Sequence, residues 1–194
     1  MFTLIRNAQV YAPEYSGEKD ILISFDKIAA IGENINLNFP GLRIIEAKGL
    51  FVMPGFIDCH VHITGGGGEG GFAARTPEIT AQQLFNSGIT TVVGVLGTDG
   101  FTRSLENLYA KTKALAVQGI TAYMYTGSYQ VPVKTLTGSI EKDLLLIDNV
   151  LGVGELALSD HRSSHPTEQE WIQISSQTRI GSMLSGKPGV IHLH

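Results

Sequence analysis

The feature that most constrains the fold is an alternation of apolar, strand-like runs with amphipathic helical segments over residues 51–194. Four strand and helix cycles are followed by a fifth apolar run, VIHLH, at residues 190–194. This alternation is typical of βαβ units, in which helices connect the strands of a parallel sheet. Residues 51–194 are therefore predicted to form an α/β fold. Residues 1–50 show only short strands between turn residues and are predicted to form a separate β segment.

The helical segments begin at recognisable signals. Thr76, with Pro77 at the first helical position, is predicted to cap the first helix. The second helix is predicted to start near Ser104, and a capping box from Thr167 to Glu170 is predicted to open the last one. The second helix is expected to turn one face towards the sheet, formed by Leu105, Leu108, Thr112 and Leu115.

Composition argues against several classes of function. Hydrophobic residues make up 43% of the chain and charged residues 16%, which suffices for a globular core. The net charge of −4 provides no basic surface for nucleic acid, and no apolar run reaches the roughly 18 residues that a membrane helix needs. A small-molecule partner is therefore expected. The single cysteine, Cys59, cannot form an internal disulfide, which favours a cytoplasmic location.

The run IDCHVHI places two histidines one residue apart. In a strand, the period of two puts His60 and His62 on one face and Cys59 on the other, where it is predicted to be a small core residue. The apolar neighbours Phe56 and Ile57 predict a buried strand, in which two imidazoles without partners would be costly. A metal site is therefore predicted. The alternative is a pair of polar side chains on an exposed face.

The run GGGGEGG follows this strand. It is predicted to be a flexible or tightly turning loop that carries the Glu69 carboxylate over the mouth of a site. Gly65, Gly67 and Gly70 also satisfy a G-x-G-x-x-G pattern, but a dinucleotide fold would need an acidic residue about 20 positions on, and none lies within 79–98. A plain surface loop is the third interpretation.

Two later strands carry further candidate ligands. Glu155 lies in the apolar run VGELALS, and a buried carboxylate there would be paired, bound to metal or neutralised. His192 and His194 again share one face, although a frayed chain end is an alternative. In the run SDHRSSHP, Arg162 is well suited to bind a substrate carboxylate through two hydrogen bonds, unless this is a solvated loop.

The run LFVMPGFIDCHVHI resembles the strand that enters the barrel in the amidohydrolase superfamily of metal-dependent hydrolases. GGGGEGG, LGTDG, TGSYQVPVKTLTGSIEKD, SDHRS and GKPGVIHLH are similar to motifs of the isoaspartyl (β-aspartyl) dipeptidases within that superfamily. The resemblance covers the whole chain. It implies that residues 1–50 are part of a small β-sandwich domain and that residues 51–194 are the N-terminal half of a (β/α)8 barrel, truncated after strand 5.

The resemblance implies a binuclear zinc site. His60 and His62 match the ligands of the first metal ion, and His194 matches a ligand of the second, whereas His192 matches none. Glu155 falls at the position that bridges the two ions, where the family often has a carboxylated lysine. A glutamate supplies a bridging carboxylate directly.

The resemblance also implies the substrate site. Glu69 matches the carboxylate that binds the free α-amino group of the substrate, and Arg162 matches an arginine that binds a substrate carboxylate. Thr98 matches a binding-site threonine. Tyr129 matches the tyrosine that stabilises the oxyanion formed when a metal-activated hydroxide attacks the isoaspartyl peptide bond.

This resemblance places the general base, an aspartate, and a further histidine ligand on barrel strands beyond residue 194. The isolated chain is therefore expected to be inactive without the missing half of the barrel, and the resemblance alone implies a homo-oligomer. Two alternatives are another amidohydrolase reaction, on a cyclic amide or an N-acyl amino acid, and a noncatalytic half-barrel that acts as a binding module.

Overall fold

The computed structural model describes residues 1–194, which form two compact units, Met1–Gly55 and Phe56–His194. The first unit is one five-stranded sheet of β1 (Phe2–Tyr11), β2 (Tyr15–Ser24), β3 (Lys27–Gly32), β4 (Leu42–Glu46) and β5 (Phe51–Val52). β2 pairs antiparallel with β1 and β3, whereas β4 and β5 pair parallel with β1. Because β5 pairs with β1, the residues just after the predicted boundary at residue 50 belong to this sheet.

The core of the first unit is small. One cluster of buried apolar side chains lies around β1 and β2 and consists of Ala8, Val10, Ile21 and Ala47. Leu4 of β1 is also fully buried. The buried Asp20 carboxylate accepts hydrogen bonds from the backbone N–H groups of Asn7, at 2.9 Å, and Ile35, at 2.8 Å. These bonds satisfy the carboxylate inside the sheet layer.

The second unit alternates strands and helices. Its strands are β6 (Phe56–Val61), β7 (Ile89–Gly94), β8 (Thr121–Thr126), β9 (Val150–Leu156) and β10 (Val190–Leu193). Its helices are α1 (Ala81–Asn86), α2 (Leu105–Val117), α3 (Ile140–Leu146) and α4 (Glu168–Ser185), with a short 3₁₀ helix at Phe72–Ala74. All five strands are parallel and follow one another in chain order. This is the arrangement of consecutive strands in a (β/α)8 barrel, which confirms the predicted fold.

The helices pack against the parallel sheet through one cluster of buried apolar side chains. Two of the predicted helix starts are confirmed. Ser104 caps α2, and Thr167 with Glu170 forms a capping box at α4. The buried face of α2 is the predicted one, with Leu105, Leu108, Thr112 and Leu115. No helix in the structure combines the length and the apolar composition that crossing a bilayer requires.

The prediction for the first helix was wrong by four residues. α1 is capped by Thr80, whose hydroxyl accepts from the Gln83 N–H while the Gln83 side chain accepts from the Thr80 N–H. The hydroxyl of Thr76 instead accepts from the Gly66 N–H at 2.7 Å. Thr76 therefore holds the glycine loop and does not start a helix.

The prediction that β6 is a buried strand was also wrong. β6 is an edge strand that pairs only with β7, and Phe56 and Ile57 keep 59% and 67% of their surface exposed. Cys59 is exposed as well, so it is not the predicted core residue. The apolar composition of a strand predicts its type but not the number of neighbours that cover it.

Candidate metal centre and substrate cleft

The carboxyl ends of β6, β9 and β10 bring the four predicted metal ligands together. His60 lies on β6, Glu155 lies on β9, and His62 and His194 directly follow their strands. Possible ligand atoms of His60, His62 and Glu155 all lie within 4.8 Å of one another. His194 joins this cluster through Glu155, with its Nδ1 2.5 Å from Oε1. We call these four side chains the histidine–glutamate cluster.

The burial and hydrogen bonding of Glu155 indicate that the cluster is suited to bind a metal ion. The residue is 1% exposed, and its Oε2 has no hydrogen-bond partner although it lies 3.4 Å from Nε2 of His60. A buried carboxylate oxygen without a partner is destabilising, and a cation would remove that cost. Imidazole nitrogens with a carboxylate are a donor set that suits zinc and its neighbours.

Glycines make room for the ring of His62. Gly97 has a φ of +73°, and a Cβ at that position would lie 2.5 Å from Cε1 of His62. Burial lowers the pKa of His62, and this effect outweighs the opposing influence of the Glu155 carboxylate. The imidazole is therefore held in the neutral form that binds metal.

His192 lies beside the cluster; the HLH pattern made it a candidate ligand, whereas the family resemblance assigned it no role. Its Nε2 is 2.8 Å from Nδ1 of His60, and its ring stacks on Tyr125 with 5.1 Å between ring centroids. This contact leaves Nε2 of His60 directed at Glu155. A hydrogen bond to the second ring nitrogen is the usual way in which a metal-binding histidine is oriented. The HLH pattern was a signal for two histidines, but not for these separate roles.

Tyr129, at the loop that follows β8, lies against the cluster. Its Oη is 3.0 Å from Nδ1 of His194, and its ring lies 5.0 Å from Cζ of Arg162. Burial raises the pKa of Tyr129, and the negative charge of Glu155 raises it further. Its phenol therefore stays protonated and can donate a hydrogen bond to an oxyanion.

Arg162 connects the cluster to a second group of polar side chains. Its Nε and Nη2 donate to the two carboxylate oxygens of Asp160, at 2.7 and 2.8 Å. Its Nη1 donates to Oε1 of Glu69 at 2.9 Å. The hydrogen bonds from Arg162 hold the pKa of Asp160 well below its ordinary range. Asp160 was noted in the sequence only as a loop residue, so its bidentate contact with Arg162 was missed.

The three predicted substrate-binding residues line one cleft of about 640 Å³. Glu69 enters from the glycine loop, Thr98 from the loop after β7 and Arg162 from the loop after β9. The other side chains that line it include Phe72, Phe101 and Gln130. Tyr129 does not line this cleft, but it lies against His194 and Arg162 at the side of the cluster. The structure thus brings all eight predicted site residues to one end of the sheet, while their individual roles stay predictions.

Comparison with known proteins extends these observations. The profile of the amidohydrolase family matches residues 51–186. A dihydroorotase of Elusimicrobium minutum is 41% identical over 107 residues, which are 54% of this chain and 24% of that protein. A crystal structure of β-aspartyl dipeptidase from Fervidobacterium islandicum AW-1 superposes with a TM-score of 0.95 at 54% identity. It covers 100% of this chain and 53% of that one.

A second crystal structure from Fervidobacterium islandicum AW-1 is the β-aspartyl dipeptidase in complex with the β-Asp-Leu dipeptide. It superposes with a TM-score of 0.93 at 54% identity and covers 100% of this chain and 51% of that one. The chain thus spans about half the length of these similar structures. Since the family profile covers residues 51–186, which include all of the helices and four of the five parallel strands of the second unit, the chain belongs to the amidohydrolase family.

Proposed function

We propose that this chain is part of a metal-dependent hydrolase that cleaves the β-aspartyl (isoaspartyl) peptide bond of dipeptides. One observation carries the proposal. The Glu69 carboxylate and the Arg162 guanidinium lie side by side at one cleft, next to the histidine–glutamate cluster. An isoaspartyl residue exposes a free ammonium and a free α-carboxylate on one carbon, and these two side chains are complementary to that pair. The 54% identity to a dipeptidase structure with bound β-Asp-Leu supports the proposal.

His60, His62, Glu155 and His194 would hold the metal, which we propose to be two zinc ions. A bound zinc supplies a nucleophile, since it lowers the pKa of a coordinated water from 15.7 to about 7. Oε2 of Glu155 supports this assignment, because it is the carboxylate oxygen of the cluster that accepts no hydrogen bond.

The chain's own residues would bind and orient the substrate. Glu69 accepts hydrogen bonds from the substrate ammonium, and Arg162 donates to the substrate α-carboxylate while Asp160 keeps the guanidinium in place. Thr98 contributes a hydroxyl to the same cleft. Tyr129 donates its O–H to the carbonyl oxygen of the scissile bond, on which negative charge develops.

The activity would belong to a protein that includes further barrel strands. The similar dipeptidase structure is nearly twice as long as this chain, which covers 53% of it. We propose that the general base and a further histidine ligand lie in that remaining part, that residues 1–194 alone are inactive, and that the complete protein is a cytoplasmic homo-oligomer. The single cysteine supports the location, and the resemblance to the dipeptidases supports the assembly.

A second candidate is hydrolysis of a cyclic amide, favoured by the 41% identity to a dihydroorotase. A cyclic ureide acid carries a carboxylate but no ammonium, so it would use Arg162 and would have no need of Glu69. The two candidates therefore differ in their requirement for a free amino group.

The test is a substrate panel with the full-length protein loaded with zinc. We expect hydrolysis of β-Asp-Leu and little or none of N-acetyl-β-Asp-Leu, α-Asp-Leu or dihydroorotate. An exposed glutamate of the first unit, Glu14, provides a control substitution, Glu14→Gln, which should leave this pattern unchanged. Faster turnover of dihydroorotate than of β-Asp-Leu would contradict the proposal and support the second candidate.

A further inference from the structure

The glycine loop is the run GGGGEGG, residues 65–71, which carries Glu69. A buried arginine that is distant from this loop in sequence holds it in place. The side chain of Arg103 is 7% exposed. Its Nη2 donates to the carbonyl oxygen of Gly66 at 3.0 Å, and its Nη1 donates to that of Gly67 at 3.4 Å. A buried guanidinium must satisfy its donors, and here two of its acceptors are loop carbonyls two and three residues before Glu69.

A second arginine also contacts this loop. Arg75 forms an isolated antiparallel bridge with Gly67, and its Nη2 lies 3.0 Å from Oδ2 of Asp99. Asp99 Oδ2 also lies 3.3 Å from Nη1 of Arg103. Asp99 therefore joins two arginines that both contact the loop at Gly67.

Asp99 is itself firmly held. Its carboxylate accepts from the backbone N–H of Thr102 at 2.8 Å, from that of Phe101 at 3.2 Å and from the Thr102 hydroxyl. Burial alone would raise the pKa of Asp99, but these hydrogen bonds and that from Arg75 lower it to about 2. The carboxylate is thus ionised and fixed at any pH at which the protein would act.

The loop needs such contacts because its own sequence does not restrict it. Gly65, Gly67 and Gly68 have φ values of +84°, +70° and +113°. Glycine in this region is tolerated without strain, but a run of glycines loses much conformational entropy when it adopts one structure. The side chain of Glu69 is 44% exposed and accepts a hydrogen bond from Arg162, so its position depends on that contact and on the conformation of the loop.

We propose that Arg103, Asp99 and Arg75 are positioning residues that fix the glycine loop so that Glu69 meets the substrate ammonium. The proposal rests on the proposed function, because it assigns these residues to recognition of the free amino group. None of the three belongs to the histidine–glutamate cluster, so they should affect substrate binding more than the chemical step.

The kinetic test uses the full-length zinc-loaded protein with β-Asp-Leu. Arg103→Met removes the guanidinium, and Arg179→Met removes an exposed arginine of α4 as a matched control. We expect Arg103→Met to raise KM about tenfold with kcat changed by less than about threefold, since small displacements of binding groups cost this much. In the Glu69→Gln background the same substitution should change KM by less than about twofold. An equal fold-change in both backgrounds would overturn the proposal, because it would indicate a general structural role.

A second readout needs no substrate and therefore separates this inference from the proposed function. Amide hydrogen exchange at residues 66–71 should be at least about tenfold faster in Arg103→Met and in Asp99→Asn, and unchanged in Arg179→Met. Asp99→Asn keeps the test available if Arg103→Met fails to fold. Unchanged exchange in the folded variants would overturn the inference. A wild-type protein that does not hydrolyse β-Asp-Leu would overturn only the proposed function.

Discussion

The histidine–glutamate cluster and the glycine loop place their carboxylates in opposite ways. Glu155 projects from a buried strand and is 1% exposed, with β8 and β10 on either side of its own strand. Glu69 projects from a loop of glycines and is 44% exposed, with its position depending on contacts made by other residues. The first carboxylate is placed by the sheet and the second by side chains that reach the loop.

This difference indicates which properties each region can support. A site on strand ends is rigid before anything binds, which suits ligands that must share one ion at fixed distances. A loop held by a few hydrogen bonds can be adjusted without disturbing the sheet, which suits recognition of the substrate. We therefore expect changes in the cluster to abolish the metal centre and changes in the loop to alter KM.

The largest effect is expected for Glu155→Gln. Outer-shell partners of metal ligands typically contribute ten- to a hundredfold to activity, so loss of a ligand should lower kcat at least about a hundredfold. Metal analysis of the purified protein should show less than the wild-type zinc content. Glu168→Gln is the control, since Glu168 is an exposed carboxylate in the first turn of α4 and its substitution should leave zinc content and kcat unchanged. Full zinc content in Glu155→Gln would show that the cluster is not the metal centre.

A smaller effect, on KM and not on kcat, is expected for Glu69→Gln. Removing the charge from a hydrogen bond to an ammonium costs about 1.5–3 kcal/mol, which corresponds to a rise in KM of roughly ten- to a hundredfold for β-Asp-Leu. Zinc content should remain at the wild-type level, which steady-state kinetics and metal analysis on the same sample would establish. A fall in kcat with an unchanged KM would contradict the expectation that the loop acts on substrate binding and the cluster on the chemical step.

Thr167→Ala should lower the stability of the fold without a specific effect on either the histidine–glutamate cluster or the glycine loop. The Thr167 hydroxyl accepts from the Glu170 N–H at 3.3 Å in the capping box of α4. Its loss should lower the free energy of unfolding by about 1 kcal/mol, as measured by urea denaturation. Ser175→Ala, at an exposed position inside the same helix, should leave stability unchanged or slightly raised. A change in KM in folded Thr167→Ala would mean that α4 acts on the cleft.

An effect of similar size to the loss of this cap is expected from acid. Asp99 has a folded-state pKa of about 2, below its ordinary value of 3.8, so its ionised form stabilises the fold above that value. This contribution is lost as the pH falls from about 4 towards 2. The difference in unfolding free energy between wild type and Asp99→Asn should therefore be larger at pH 5 than at pH 3. An equal difference at both pH values would indicate that the charge of Asp99 does not contribute.

Local pattern was sufficient to predict the elements that carry the cluster. The period of two predicted that His60 and His62 share a side, and their ring centroids lie 5.2 Å apart. The apolar run around Glu155 predicted its burial. Both inferences depend only on short runs of neighbouring residues, so a single sequence is sufficient for them.

Contacts between distant residues could not be predicted from such patterns. His192 reaches His60 across 132 positions, and Arg103 reaches Gly66 across 37. The misplaced cap at Thr76 has the same origin, because its hydroxyl is bonded to Gly66 ten positions away. These pairings are determined by how the loops pack, and composition and spacing contain no direct signal for them.

The most direct test of the account is hydrolysis of β-Asp-Leu by the full-length protein before metal chelation, after it, and after zinc is restored, with α-Asp-Leu measured in parallel. We expect β-Asp-Leu hydrolysis to disappear with the metal and to return with zinc, while α-Asp-Leu remains uncleaved. Hydrolysis that persists in the metal-free protein, or its absence when the cluster is fully loaded, would contradict the assignment of the cluster as the hydrolytic centre.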